Sequence, residues 1–552
     1  MIVRSRLIGC ASIGCICMLA LLSCSKPYTE ERVLESISLP TTFSKKVDSR
    51  LESTFTPSST LDFAQSLLTL IDDESLQALL EIALANNTNL LTLTSQIAQA
   101  REALGLASAN MLPKLSINMG YNYSSGNYNR YQININQNTL NGNLSLSWEL
   151  DLFGKLNMLR KSKKYDYLAT LSNLSVAQVS LIGEVASDYY AYMRLRNAAL
   201  IQAQIVQNHS KILATLRDKH ELGLVDISAI NDTLAALSQA QSTHSSLLLE
   251  QEQMKNALII LLNLSDPQIL AQILERPQPA QAPTHHAAAR KSLESNATSL
   301  QSRPLESTFS NNVEKSQSIA SLEKVDSSST LPSLTLPSPR LPAIDALPRE
   351  ILLSRDDVRA SIASLNAQVM LKNSKKAALF PTLNLGGSLG QILFSSRGVG
   401  DLIWNITGSL ASPLINRSAL TKDYKIQKES VKQALYALES TLRTALGEIE
   451  NAITQVNTAQ SSLQAKEQML STSQEVWLVA QSRYELGLLD EASYLTSYNA
   501  LLSAQSSTDE AKFAQLAAAI MLYKALGGRL ALQESSAHNA AQDPHLESTQ
   551  KG

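Results

Sequence analysis

Hydrophobic and polar positions alternate in four short stretches of this chain. In Asn143–Lys155, Leu144, Leu146, Trp148 and Leu150 alternate with Ser145, Ser147 and Glu149. Upstream, Leu115, Ile117, Met119, Tyr121 and Tyr123 alternate with Ser116, Asn118, Asn122 and Ser124. A period of two sends one set to each face of a strand. The pattern fits a half-buried strand of a soluble sheet, and it equally fits a transmembrane β-strand with its apolar set turned to lipid. The Asn- and Tyr-rich segment Gly126–Asn143 reads as a long polar loop closing a hairpin. A second hairpin follows much later. Leu383, Leu385 and Leu389 alternate with Asn384, Gly386 and Ser388, then Trp404, Ile406 and Leu410 with Asn405, Thr407 and Ser409.

Helical periodicity fills most of the rest. A helix starts after Asp73, with Leu76, Leu79, Leu80, Ala83 and Leu84 on one face. Asn86-Asn87-Thr88 interrupts it, and a second helix runs to about Ala109 before Pro113 opens the first hairpin. Lys155–Leu222 contains no proline; as a helix of about 68 residues at ~1.5 Å each it would span about 100 Å. That is far longer than a bilayer core of ~30 Å, so such a helix must project from the membrane or be broken. Gly223 turns the chain, and Ile227–Leu262 returns. Lys422–Leu486, Gly487 and Ala492–Leu526 repeat the arrangement. Pro113 and Pro381 are separated by almost the same length of chain as Gly223 and Gly487. The chain is therefore a duplicated domain, with repeats at 73–266 and 347–530. Between them, Pro267–Ala346 is rich in Pro, Ser, Ala and Gln and reads as a low-complexity linker. Residues 24–72 read as extended, and 531–552 as a frayed tail.

Composition narrows the class. The 552 residues are 44% hydrophobic and only 17% charged, with net charge −2. That is too balanced for a nucleic-acid partner. The four cysteines are Cys10, Cys15, Cys17 and Cys24. None lies beyond Cys24, so the body has no disulfide and no thiolate metal site. Arg4 and Arg6 precede the apolar run Leu7–Leu22, a secretory signal over 1–23. Its end, Leu21-Leu22-Ser23-Cys24, resembles a bacterial lipobox, which makes Cys24 the expected acylated first residue of the mature chain. Ser25 follows, where an inner-membrane retention signal would place Asp. No later run reads as long and apolar enough for a membrane helix.

The duplicated hairpin with its leading proline, the post-strand Trp148-Glu149-Leu150-Asp151-Leu152-Phe153-Gly154, Leu347-Pro348 with Asp357-Val358-Arg359-Ala360, and Arg483-Tyr484-Glu485-Leu486-Gly487 together resemble the TolC/OprM family of bacterial outer-membrane efflux channels. A spanning strand needs every backbone group paired, and four strands cannot close a barrel. The resemblance implies three copies sharing a barrel of twelve strands, continued by a mainly α-helical periplasmic tube. It implies an outer-membrane channel of a tripartite system, working with a periplasmic adaptor and an inner-membrane pump. By the same resemblance the adaptor-docking tips are Lys219, Gly223, Arg483, Tyr484 and Gly487, and the entrance constriction is Asp232 with Asn499. The expected lipid-facing residues are Leu144, Leu146, Trp148 and Leu150. A duct for protein secretion and a non-pore periplasmic scaffold of helical pairs both stay open at this point. No phosphate loop, dinucleotide fingerprint or Cys/His ligand spacing occurs, so no cofactor and no enzymatic activity is expected.

Overall fold

The computed structural model describes residues 63–128, 133–274, 336–339, 348–395, 398–413 and 416–528. The signal segment, Cys24, most of the expected linker and the tail lie outside the described residues. In chain order the elements are α1 (Phe63–Leu70), α2 (Glu74–Asn86), α3 (Thr88–Ala109), β1 (Lys114–Tyr128), β2 (Ile133–Leu150), α4 (Lys155–Glu221), α5 (Ile227–Leu262), α6 (Pro267–Leu274), α7 (Pro348–Ser354), α8 (Asp356–Ala377), β3 (Thr382–Ser395), β4 (Leu402–Ala411), α9 (Arg417–Glu485) and α10 (Glu491–Ala525).

The duplication holds element by element. Thr88–Ala109 and Asp356–Ala377 are both 22 residues, α4 and α9 are 67 and 69, and α5 and α10 are 36 and 35. Even the hydrogen bonds repeat. Asn87 caps α3 by accepting from the Asn89 and Leu90 amides, and its Nδ2 donates to the Leu261 carbonyl at the end of α5. At the matching place before α8, Arg355 donates to the Ala525 carbonyl at the end of α10. Just past those carbonyls, Asn263 and Gly527 both take positive φ, 49° and 71°, the left-handed exit common after a helix.

The largest core lies around the middle of α4, about 50 Å from the sheet at ~1.5 Å per residue. There Ile182, Val185, Tyr189 and Tyr190 meet Leu76, Leu79 and Leu80 of α2 and Ile520, Leu522 and Tyr523 of α10. Beyond that waist the long helices run on as antiparallel pairs, α4 with α5 and α9 with α10, and end in turns. Those distal pairs carry only small apolar clusters, such as Leu213, Ile230 and Leu237.

Four expectations are corrected. The strands β1 and β2 run on to Tyr128 and restart at Ile133, so most of the expected loop Gly126–Asn143 is paired strand. Ile133 and Ile135 alternate with Asn134 and Asn136 there, a period of two that an Asn-rich composition masks. Within the expected extended segment, Phe63–Leu70 is a helix, and Leu67, Leu70 and Ile71 are fully buried. The expected linker begins with helix α6, which bends back by 115° from α5 and buries Leu270 and Leu274, and Leu336 also packs on the main core. One 18-residue stretch of α4 is, by length and composition, apolar enough to cross a membrane. It lies in a helix of 67 residues, and a third of the stretch is buried, with Val179, Leu181, Ile182 and Val185 in the core.

Candidate functional site

The sheet has strand order β1-β2-β3-β4, all antiparallel, and stays open, with β1 and β4 as free edges. Register sorts its side chains by face. Leu115 pairs Leu146, Ile117 pairs Leu144, Trp148 pairs Leu385, Leu150 pairs Leu383, Leu389 pairs Trp404 and Leu383 pairs Leu410. Directly opposite residues share a face. Leu144, Leu146, Trp148 and Leu150 thus join one apolar surface that crosses all four strands, with Ile406 80% exposed on it. The other face carries Ser116 against Ser145, their hydroxyls 2.7 Å apart, and Glu149, Asn384, Ser388, Asn405 and Ser409. An apolar face this large on a free surface needs an apolar medium, and a polar opposite face suits water. The ten residues of β4 match the ~9–11 needed to cross a bilayer.

The sequence Trp148–Gly154 makes the joint between sheet and helix. The Trp148 indole donates to the Met111 carbonyl at 2.9 Å, and Glu149 is ion-paired with Lys155. The Asp151 carboxylate accepts from the amides of Leu156 and Asn157, capping α4. Phe153 stacks on Phe380 of the second repeat with ring centroids 5.0 Å apart. Gly154 turns the chain at φ 75°. The helices therefore leave the sheet in a fixed direction.

At the far end the two turns share one geometry. Gly223 has φ 73° and Gly487 φ 71°; Leu224 N–H donates to Lys219 O at 2.9 Å and Leu488 N–H to Arg483 O at 2.8 Å. Leu222, Leu224, Leu486 and Leu488 project from them, each more than 70% exposed. The expected tip residues divide in their bonding. Lys219 forms an ion pair of 2.5 Å with Asp490, which holds the Asp490 carboxyl below its ordinary value. Tyr484 stacks on Tyr494. Arg483 is exposed. Asp232 is exposed on α5, but Asn499 is not at a surface at all. It is buried and accepts from Asn208 at 2.7 Å between α10 and α4. Asp226 and Asp490 are the matching N-caps of α5 and α10. Counted from those caps, the position equivalent to Asp232 is Thr496. The expectation at Asn499 is corrected accordingly, while Asp232 keeps the exposed place expected of it.

Buried carboxylates were not foreseen, because their sequence context is that of ordinary helix faces. Burial pushes Asp509 up to about 6, against the pull of Lys512 and the Asn197 amide that donates to it at 2.7 Å. Burial, with Glu184 nearby, likewise raises Asp188 to about 6. A carboxyl raised in the fold adds stability below its ordinary value, 3.8, and loses it as pH rises through about 6. Asp509→Asn keeps the acceptor for Asn197 and is expected to stabilise the protein by about 1 kcal/mol near pH 8, screening considered. The gain should shrink to nothing near pH 4 in thermal unfolding. An equal gain at both pH values would mean that ionisation is not its cause.

Among the described residues, no group of His, Cys, Asp and Glu is arranged to hold a metal. What the chain does offer is an open sheet, apolar on one face and polar on the other, set on long helices, the form that a wall segment of a transmembrane duct would need. A family profile, Outer membrane efflux protein, matches residues 79–264 and 347–528, and the chain belongs to that family. It is 24% identical over 486 residues to the probable efflux pump outer membrane protein TtgC of Pseudomonas putida, covering 85% of this chain and 86% of the relative. It is 23% identical over 470 residues to outer membrane protein OprJ of Pseudomonas aeruginosa, covering 83% and 85%. The Campylobacter jejuni CmeC outer membrane channel superposes with TM-score 0.67 at 21% identity, over 89% of this chain and 94% of that one. The Neisseria gonorrhoeae MtrE channel, in its open state, superposes with TM-score 0.62 at 21% identity, over 89% and 99%. The chain is thus an outer membrane efflux protein by family, which speaks against the non-pore scaffold.

Proposed function

We propose that three copies of this chain close a twelve-stranded barrel in the outer membrane, and that the joined helices continue it as a water-filled tube into the periplasm. The observation that carries this reading is the open four-stranded sheet, apolar on one face and polar on the other, rigidly joined to helices about 100 Å long. Free strand edges are untenable in lipid, so the sheet requires further copies. Solutes move through passively, and an inner-membrane pump supplies the energy. A lipid on Cys24 adds a second hold on the membrane, at ~0.8 kcal/mol per buried CH₂. Small-molecule efflux is favoured over protein secretion because relatives such as TtgC and OprJ span nearly the whole chain and TtgC is named an efflux pump protein.

The apolar tips at Leu222, Leu224, Leu486 and Leu488 are the adaptor-docking surface, set on the Gly223 and Gly487 turns. They are the part farthest from the sheet and so nearest a partner anchored in the opposite membrane. A photoreactive residue at Leu224 or Leu488 should cross-link to the adaptor in cells. Cross-links mapping instead near Lys155 or Lys422, at the sheet end, would refute docking at the tips.

A further inference from the structure

Within one chain, α4 of the first repeat packs against α8 and α10 of the second. The duplication supplies a mirror of that seam, α9 against α3 and α5, yet within the chain these make no comparable packing. We propose that α9 receives α3 and α5 of the next copy in the same register that joins α4 to α8 and α10. At the tip the register converts the Lys219–Asp490 ion pair into an ion pair between Arg483 and Asp226 of the next copy. This rests on the proposed assembly of several copies and adds its residue-level seam.

Three features of the single chain fit an occupant of that description. First, the charges are complementary and available. Lys219 and Arg483 occupy the same place on equivalent turns, each accepting at its carbonyl from the leucine after the glycine. Asp226 and Asp490 occupy equivalent caps, with φ −77° and −79° and ψ 155° and 157°. Arg483 and Asp226 are both exposed. Second, beside Arg483 lies a groove of about 390 Å³ lined by Val476 and Val479. In the internal seam, Thr215 meets Glu491. The same register sets Val479 against Ile227 of the next copy, two apolar residues that are each about half exposed in the single chain. Third, the waist has a matched knob and hole. Gly183 lies under the Lys524 side chain so closely that an added Cβ would come within 2.5 Å of it. The equivalent Gly447 faces nothing within 4 Å, while Ile260, the equivalent of Lys524, is 76% exposed. The register seats Ile260 of the next copy on Gly447. The bare glycine and the bare isoleucine thus account for each other.

The test is Asp226→Cys combined with Arg483→Cys in the full-length protein, treated in membranes with a short bis-maleimide. The body has no other cysteine, since none of the native ones lies beyond Cys24. Denaturing gels should show a ladder ending at three chains. The pair Lys219→Cys with Asp490→Cys should cross-link within the chain and give no ladder. Exchanging the charges, Arg483→Asp with Asp226→Arg, should restore the heat resistance of the assembly that Arg483→Asp alone lowers. A double-cysteine protein that is still an oligomer by native mass, yet forms no interchain cross-link, would overturn the register while leaving the assembly standing. A monomeric wild-type protein in mild detergent would overturn both.

Discussion

Leu146→Arg is expected to destabilise insertion of the sheet by ~2–4 kcal/mol, the cost of an arginine facing lipid near the bilayer midplane. Leu146 lies on the apolar face, opposite Leu115 on one neighbour and Gly387 on the other. It is therefore flanked by apolar or small groups that offer a guanidinium no partner. Ser145, one residue earlier, points to the opposite face and shares a hydrogen bond with Ser116. Ser145→Arg loses that bond but leaves its charge in water, so its effect should stay below about 1 kcal/mol. Folding titrations of both variants into lipid vesicles measure the difference. Equal penalties would mean that the apolar face does not contact lipid.

Arg355→Ala is the second large effect expected. The guanidinium is buried and its whole fork is engaged. It donates to both carboxylate oxygens of Asp357, at 3.0 and 2.6 Å, to Glu448 at 2.7 Å and to the Ala525 carbonyl. It thereby ties the start of α8 to α9 and to the end of α10. Removing one partner of a buried ion pair costs ~3–5 kcal/mol. Glu448 is half exposed and water can replace part of what it loses, so about 2–3 kcal/mol is expected. Arg355→Lys should recover little, because an ammonium cannot bridge three acceptors in a planar fork. The same staple in the first repeat is the neutral Asn87, and Asn87→Ala should cost only about 1 kcal/mol. Thermal unfolding in detergent tests the ranking. If Asn87→Ala is the more damaging change, the two joints are not equivalent in the way their hydrogen bonds suggest.

The long-range plan was legible in the sequence because its signals were periodic and doubled. Alternation gave the strands and their faces, and Gly223 and Gly487 gave the helix turns, where the left-handed φ leaves few other residues possible. The returning helix Ile227–Leu262 came out with the bounds expected. What stayed hidden depended on tertiary packing. Helix α6 opens with a proline and is only eight residues long, so its apolar face, Leu270, Ile273 and Leu274, was lost in the proline-rich composition of the stretch that follows. Asn499 looked like an entrance residue because it followed Gly487 at roughly the distance at which Asp232 follows Gly223, with about three residues extra. Its burial against Asn208 depends on the contact between α10 and α4, which no local pattern encodes. Only part of the Arg355 staple showed as a motif, Asp357–Ala360, without its arginine, since the acceptors on α9 and α10 are distant in sequence.

That this chain builds a water-filled pore through a membrane is tested most directly by purified full-length protein added to a planar lipid bilayer. Discrete, long-lived conductance steps of uniform size are expected, since each inserted assembly adds one pore of fixed bore. Protein that binds the bilayer without any conductance steps, under conditions where its oligomer is intact, would contradict the pore.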